Sequence, residues 1–278
     1  MASRKRDLFY QVLSEAIDDL MTFGFDSQER LNRWVQKLDS AARATLVPIS
    51  VLDRSVRDML LRVYQRTVEG DRLLQRHEGI SEFTLASIKP KLRGELDRRI
   101  LASAELIKLN RETSIQRTLQ RFAGWATSVP MGGTDVAERA EVKQNVRRGI
   151  AGLPFEERRV VIDQGHKLVS AINDIVARDG GAIAAIWHHV MEGGGYQARP
   201  EHVGRNGHVF VIRDNWALQK GLMKLAGHQY TDQVAEPGEE IYCRCWYEYI
   251  YNLRDLPPEM ITSKGREALE IARQRLAG

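Results

Sequence analysis

Apolar residues recur at spacings of three and four along most of the chain, and alternate with polar ones only towards its C-terminal end. Between residues 4 and 22, Leu8, Val12, Leu13, Ala16, Ile17 and Leu20 fall on one stripe, which predicts an amphipathic helix. Phe23-Gly24-Phe25 ends it, with the glycine as C-cap. Asp26 or Ser27 then caps a second helix that turns Leu31, Trp34, Val35 and Leu38 inward. Pro48 marks the next boundary, and Leu52, Val56, Met59, Leu60, Val63, Tyr64 and Val68 carry a third helix from residue 49 to about 77. Residues 79 to 91 read as a break, punctuated by Pro90. A long helix is predicted from about residue 92 to 125, striped by Leu92, Leu96, Ile100, Ser103, Ile107, Leu119 and Phe122.

Ser128-Val129-Pro130-Met131-Gly132-Gly133-Thr134 is the clearest loop. Thr134 or Asp135 caps a helix running to about Gly149. A separate helix is predicted to start at Leu153-Pro154, since proline is tolerated in a first turn. Gly180-Gly181 ends that helix, and residues 182 to 191 form a short apolar segment read as helical around His188 and His189. The texture then changes. Gly193, Gly194 and Gly195 read as a hinge. Residues 207 to 213 read as a strand or hairpin arm, 216 to 226 as a short helix, 239 to 251 as a strand, and 262 to 276 as a last helix. The expected fold class is mainly α: an elongated helical N-terminal region, residues 1–186, with a small α+β C-terminal module, residues 187–278.

Composition changes this picture little. The 278 residues are 43% hydrophobic, enough for a sizeable core, and 28% charged. No apolar run is long enough for a bilayer span, and Gln11, Ser14, Glu15, Asp18 and Asp19 interrupt the first apolar stretch, so neither membrane insertion nor a signal peptide is expected. The net charge of +4 is spread over interleaved acids and bases, the pattern of solvated helix faces. Arg93, Arg98, Arg99, Lys108, Arg111, Arg117 and Arg121 decorate the long helix and are a candidate face for nucleic acid.

Candidate chemistry gathers between residues 198 and 257. Both cysteines of the chain sit in Tyr242-Cys243-Arg244-Cys245-Trp246. At i and i+2 of an extended segment two side chains share a face, with Arg244 and Trp246 on the other. A disulfide between them would be strained. The pair is either small core packing or two thiolates for one tetrahedral zinc, with histidine filling the set. His202 is the first candidate partner and His208 the second, followed by His228 and Asp232. His188 and His189, being adjacent, point to different sides and do not share a metal; His77 and His166 fall on polar helix surfaces. Tyr242, Trp246, Tyr247, Tyr249 and Tyr251 divide between the core of a small sheet and its outer face. No phosphate-binding loop, dinucleotide fingerprint, nucleophile elbow or dense carboxylate cluster is present, so the expectation is a chain that is not an enzyme.

The cysteine segment follows a Pro237-Gly238 turn and is preceded by Arg199-x-x-His202 and an arm containing Gly207, Val209 and Phe210. With Arg244 between Cys243 and Cys245, this pattern resembles the C-terminal domain of phage head morphogenesis proteins of the Mu F type, the minor head proteins, over about residues 187 to 257. The resemblance implies a structural virion component of a tailed phage, in the head interior or at the portal vertex and in the host cytoplasm during assembly, acting in assembly, DNA packaging or ejection. Its implied partners are portal or other capsid proteins and packaged double-stranded DNA, in several copies per virion and with no membrane. The alternative that the residues themselves leave open is a metal-dependent nuclease or toxin-like effector using His202 and His208 with the cysteine pair.

Overall fold

A computed structural model describes residues 2–69, 72–135, 138–190 and 198–277, with the side chains of 2–7 and 277 left aside. The N-terminal region is mainly helical: α1 (Ala2–Phe23), α2 (Gln28–Thr45), α3 (Ile49–Val68), α4 (Arg72–Arg76), α5 (Glu82–Ala126) and α6 (Arg139–Asp179). A small α+β module follows: β1 (Ala184–His188), α7 (Pro200–Gly204), β2 (Val209–Val211), α8 (Trp216–Gln219), β3 (Gln229–Tyr230), β4 (Trp246–Ile250) and α9 (Ser263–Ala277). The expected succession of a helical front and an α+β tail is therefore observed. The glycine hinge at 193–195 lies outside the described residues.

The chain divides into two compact units, and both long helices belong to each in turn. The first unit comprises Met1–Arg57 and Leu101–Val161. Its core joins Phe9, Leu13, Ile17 and Leu20 of α1 to Leu31 and Leu38 of α2, Ile115, Leu119 and Phe122 of α5, and Leu153 of α6. Ser27 caps α2 by accepting from the Arg30 N–H. Gly24 ends α1 at a φ of 76°, where an added Cβ would lie 1.9 Å from the Pro130 carbonyl oxygen, so the turn admits no other residue without moving backbone. Arg111 of α5 and Glu157 of α6 make a buried, bidentate ion pair, and Arg111 Nη1 also donates to the Val47 carbonyl at 2.6 Å.

Two helix boundaries differ from expectation. Pro90 does not precede α5 but lies within it. Proline removes one intrahelical bond and crowds the preceding turn. The helix nevertheless runs through, because Leu85, Ile88 and Leu92 form one buried stripe across the proline while Pro90 itself faces solvent. Pro154 likewise lies inside the continuous α6, where Val146, Ile150, Leu153 and Val161 are all buried. Burial of a stripe outweighs the local breaker in both cases.

The second unit comprises Asp58–Ile100 and Ile162–Gly278. Its sheet has the order β3-β2-β1-β4; β1 pairs antiparallel with β2 and β4, and β2 pairs parallel with β3. Ala184–His188, in the apolar segment expected to be helical around His188 and His189, thus form an inner strand. A short apolar run has no period that tells helix from strand. Here Ala184 and Ile186 face a cluster with Val211, Ile250, Leu253 and Met260, while Ala185 and Trp187 face the opposite side with Phe210, Tyr247, Cys243 and Cys245. Both faces are covered, which is why the run is apolar throughout. The expected 216–226 helix is only the single turn α8, stopped at Gly221, whose φ is 67°.

Candidate metal centre

The face of the sheet that carries Trp187 and Tyr247 also carries the cysteines. The expected strand from 239 to 251 begins only at Trp246, because Tyr242 sits at a φ of 61° and turns the chain. Side chains still alternate beyond that turn: Cys243, Cys245 and Tyr247 are buried, and Arg244, Trp246 and Glu248 are exposed. The loop leading in is fastened to α6. Ser170 donates to the Pro237 carbonyl, Lys167 donates to the Glu239 carbonyl at 3.0 Å, and the Tyr242 N–H donates to Asp163 Oδ1 at 2.6 Å. Gly238, at a φ of 84°, lies so close to α6 that a Cβ would come within 2.8 Å of Ser170 Cβ.

His202 comes from the other side on α7, which Pro200 opens. It is 1% exposed and packs edge-on to Trp187 with ring centroids 5.3 Å apart. Its Nδ1 lies 3.6 Å from Cys243 Sγ and 3.5 Å from Cys245 Sγ. A zinc ion with Zn–S of about 2.3 Å and Zn–N of about 2.05 Å at tetrahedral angles separates sulfur from nitrogen by about 3.6 Å. Both sulfur–nitrogen separations therefore match those of a zinc tetrahedron, and the cluster is capable of coordinating such an ion. Among the described residues this set has three members.

Behind the imidazole stands Glu240. Its Oε2 lies 2.9 Å from His202 Nε2 and 3.1 Å from Arg199 Nη1. The Glu240–His202 pair is close enough for an ionic contact but not aligned for a hydrogen bond, and both atoms are buried. A carboxylate on the far nitrogen of a ligating histidine sets its tautomer and ring orientation. Arg199 Nη2 also donates to the Ile241 carbonyl at 3.0 Å, so the Arg-x-x-His string holds the loop as well as the ligand. Without a metal, the hydrogen bond from Cys245 holds the Cys243 thiol well below the ordinary thiol range, and the same bond drives Cys245 up, so the pair shares one proton.

The other histidines lie elsewhere. His208 is exposed and stands outside the cluster; its carbonyl accepts from the Trp187 N–H at 2.9 Å. His228 turns Nδ1 to the Val209 carbonyl, and Asp232 pairs with Arg213. His188 stacks on Trp246 at 4.3 Å and is 2.8 Å from Glu248. His77, read as a helix-surface residue, is buried between the Tyr251 hydroxyl at 2.6 Å and Asn173 Oδ1 at 3.0 Å. His166 lines a cleft against the cysteines. No pattern in the local sequence pointed to the burial of His77, since its partners come from distant segments. On the long helix, Arg98 and Arg99 both pair with Glu95, Arg93 with Asp97, and Arg111 with Glu157.

No family model, curated protein or solved structure matches the chain. The site's chemistry is therefore read from its own geometry. That geometry corrects one expectation: a chain without enzymatic chemistry does not fit a buried His202, Cys243 and Cys245 set placed to hold a metal. The signal overlooked was the carboxylate three residues before Cys243, Glu240, which meets His202 only once the loop folds back.

Proposed function

We propose that the α+β module is a zinc site with metal-dependent hydrolytic chemistry, that of a nuclease or toxin-like effector, and that His202, Cys243 and Cys245 are its ligands. The observation that carries this reading is the buried three-residue set at zinc-like separations. Structural zinc sites close with four protein ligands, whereas catalytic sites use three and keep one position for water or substrate. When bound, the ion would serve as a Lewis acid at that position. The chain's own residues do the rest: Glu240 and Arg199 orient His202, and the contacts of α6 with 237–242 hold the thiols in place. Metal analysis of purified protein should find about one equivalent of zinc per chain, absent from a Cys243→Ser/Cys245→Ser variant. Cleavage of DNA or RNA should stop on chelation and in His202→Ala. A metal-free wild type, or cleavage that survives in both variants, overturns the reading.

A second reading follows the resemblance to minor head proteins. In its favour, residues that carry the resemblance meet in space: Arg199 holds the Ile241 carbonyl and the Glu240 carboxylate, and His202 meets Cys243 and Cys245. In this reading the zinc module belongs to a virion component at the portal vertex or in the head interior, beside capsid proteins and packaged DNA. Co-sedimentation with purified phage heads tests it, and a protein absent from both proheads and virions does not have this role.

A further inference from the structure

A cleft of about 150 Å³ borders the two cysteines. It has room for about five waters, and so for one phosphoryl group. Its walls include Arg76 from α4, His166 from α6 and Arg244 from between the cysteines, and no carboxylate. Arg76 is exposed and makes no ion pair among the described residues. Asp163, whose charge also reaches His166, is occupied by the Tyr242 N–H at 2.6 Å and by Lys167 at 3.5 Å. Tyr247 also lines the cleft; it is 9% exposed and its hydroxyl has no hydrogen-bond partner. A buried hydroxyl without a partner costs free energy until an acceptor arrives. Two guanidiniums, an imidazole and a phenol thus line one cleft, and the charges of Glu236 and Asp174 also reach Tyr247.

We infer that this cleft is an anion subsite that takes a phosphoryl group through Arg76, His166, Arg244 and Tyr247, beside Cys243 and Cys245. The inference deepens the hydrolase reading by naming the substrate class as phosphate-bearing. Guanidinium groups match phosphate oxygens in pairs, so selectivity for phosphate over a carboxylate follows from geometry as well as charge. The source of the phosphoryl group, a free phosphate or a nucleic-acid diester, shares this chemistry and is separated by experiment.

The test uses the full chain loaded with cobalt, whose thiolate absorption band reports the metal site independently of the cleft. Inorganic phosphate and a dinucleotide are titrated calorimetrically into wild type, Arg76→Gln and His166→Gln, with circular dichroism confirming that each variant is folded. The expected result is binding of at least one probe, weakened at least tenfold in both variants while the cobalt band is unchanged; the tighter probe identifies the source. Equal binding in wild type and variants, or no binding by protein that shows the cobalt band, overturns the inference. If wild type takes up no cobalt, the metal reading fails by itself. The same titration on metal-free protein then decides the cleft: tenfold weakening in the variants supports it, and its absence overturns it.

Discussion

Glu240 shows how much a single side chain decides. It reaches His202 Nε2 and is itself gripped by Arg199, so the imidazole presents Nδ1 to both sulfurs. Glu240→Gln is expected to weaken zinc binding by about 10- to 100-fold without changing its stoichiometry, measured by competition with a chromophoric chelator. An unchanged affinity would remove Glu240 from the site. His77 makes a different prediction. Burial lowers its pKa, against the opposing bond to Asn173. The folded protein therefore keeps His77 neutral at a pH where the unfolded chain takes up a proton, below about 6.5. Its contribution is fully present above that pH and is lost as the pH falls towards the folded-state pKa. His77→Gln should lower Tm at pH 7.5 and flatten the decline of Tm between pH 7 and 5; parallel profiles would contradict this. At this scale the cysteines and His202 were legible because two thiols at i and i+2 share a side wherever the chain is extended. His77 was not, because its partners Asn173 and Tyr251 lie 96 and 174 residues away.

Among the elements, the helices were legible by stripe and misread at their breaks. Leu85, Ile88 and Leu92 keep one buried face across Pro90, so the proline's cost is carried without ending α5. Pro90 is exposed, and replacing it removes no packing. Pro90→Ala should therefore stabilise the protein, by up to about 3 kcal/mol in chemical denaturation. A destabilised variant would mean that the proline sets a bend the fold needs. The inner strand β1 was illegible for a different reason. Its residues Ala184 to Trp187 are apolar on both faces, and burial on two sides erases the alternation that marks a half-exposed strand. β4, with Glu248 and Trp246 exposed beside buried Tyr247, kept it.

For the molecule as a whole, the order of a helical region and an α+β module could be read from the change in periodicity and glycine content. The composition of the compact units could not. Each long helix gives one end to each unit, and no local pattern records where along α5 or α6 its neighbours change. Within the first unit the buried Arg111–Glu157 pair ties α5 to α6, with Val47 accepting from the same guanidinium. Glu157→Ala leaves that charge buried without its carboxylate and should cost about 3–5 kcal/mol in equilibrium unfolding. A loss below about 1 kcal/mol would mean that water reaches Arg111 in the variant.

His202 and Cys243 are 41 positions apart in the chain, yet their side chains meet. A metal held between them would be a cross-link, closing a loop that contains β2, α8 and β3. In the chain-entropy account of covalent cross-links, a loop of that length is worth about 4 kcal/mol. The segment from 203 to 242 would then open as one unit when the ion leaves. Its amides should gain hydrogen exchange together on chelation, at a common rate, while β1 and β4 stay protected by their own pairing. On this view the metal sets which part of the module opens cooperatively, as well as what chemistry it does.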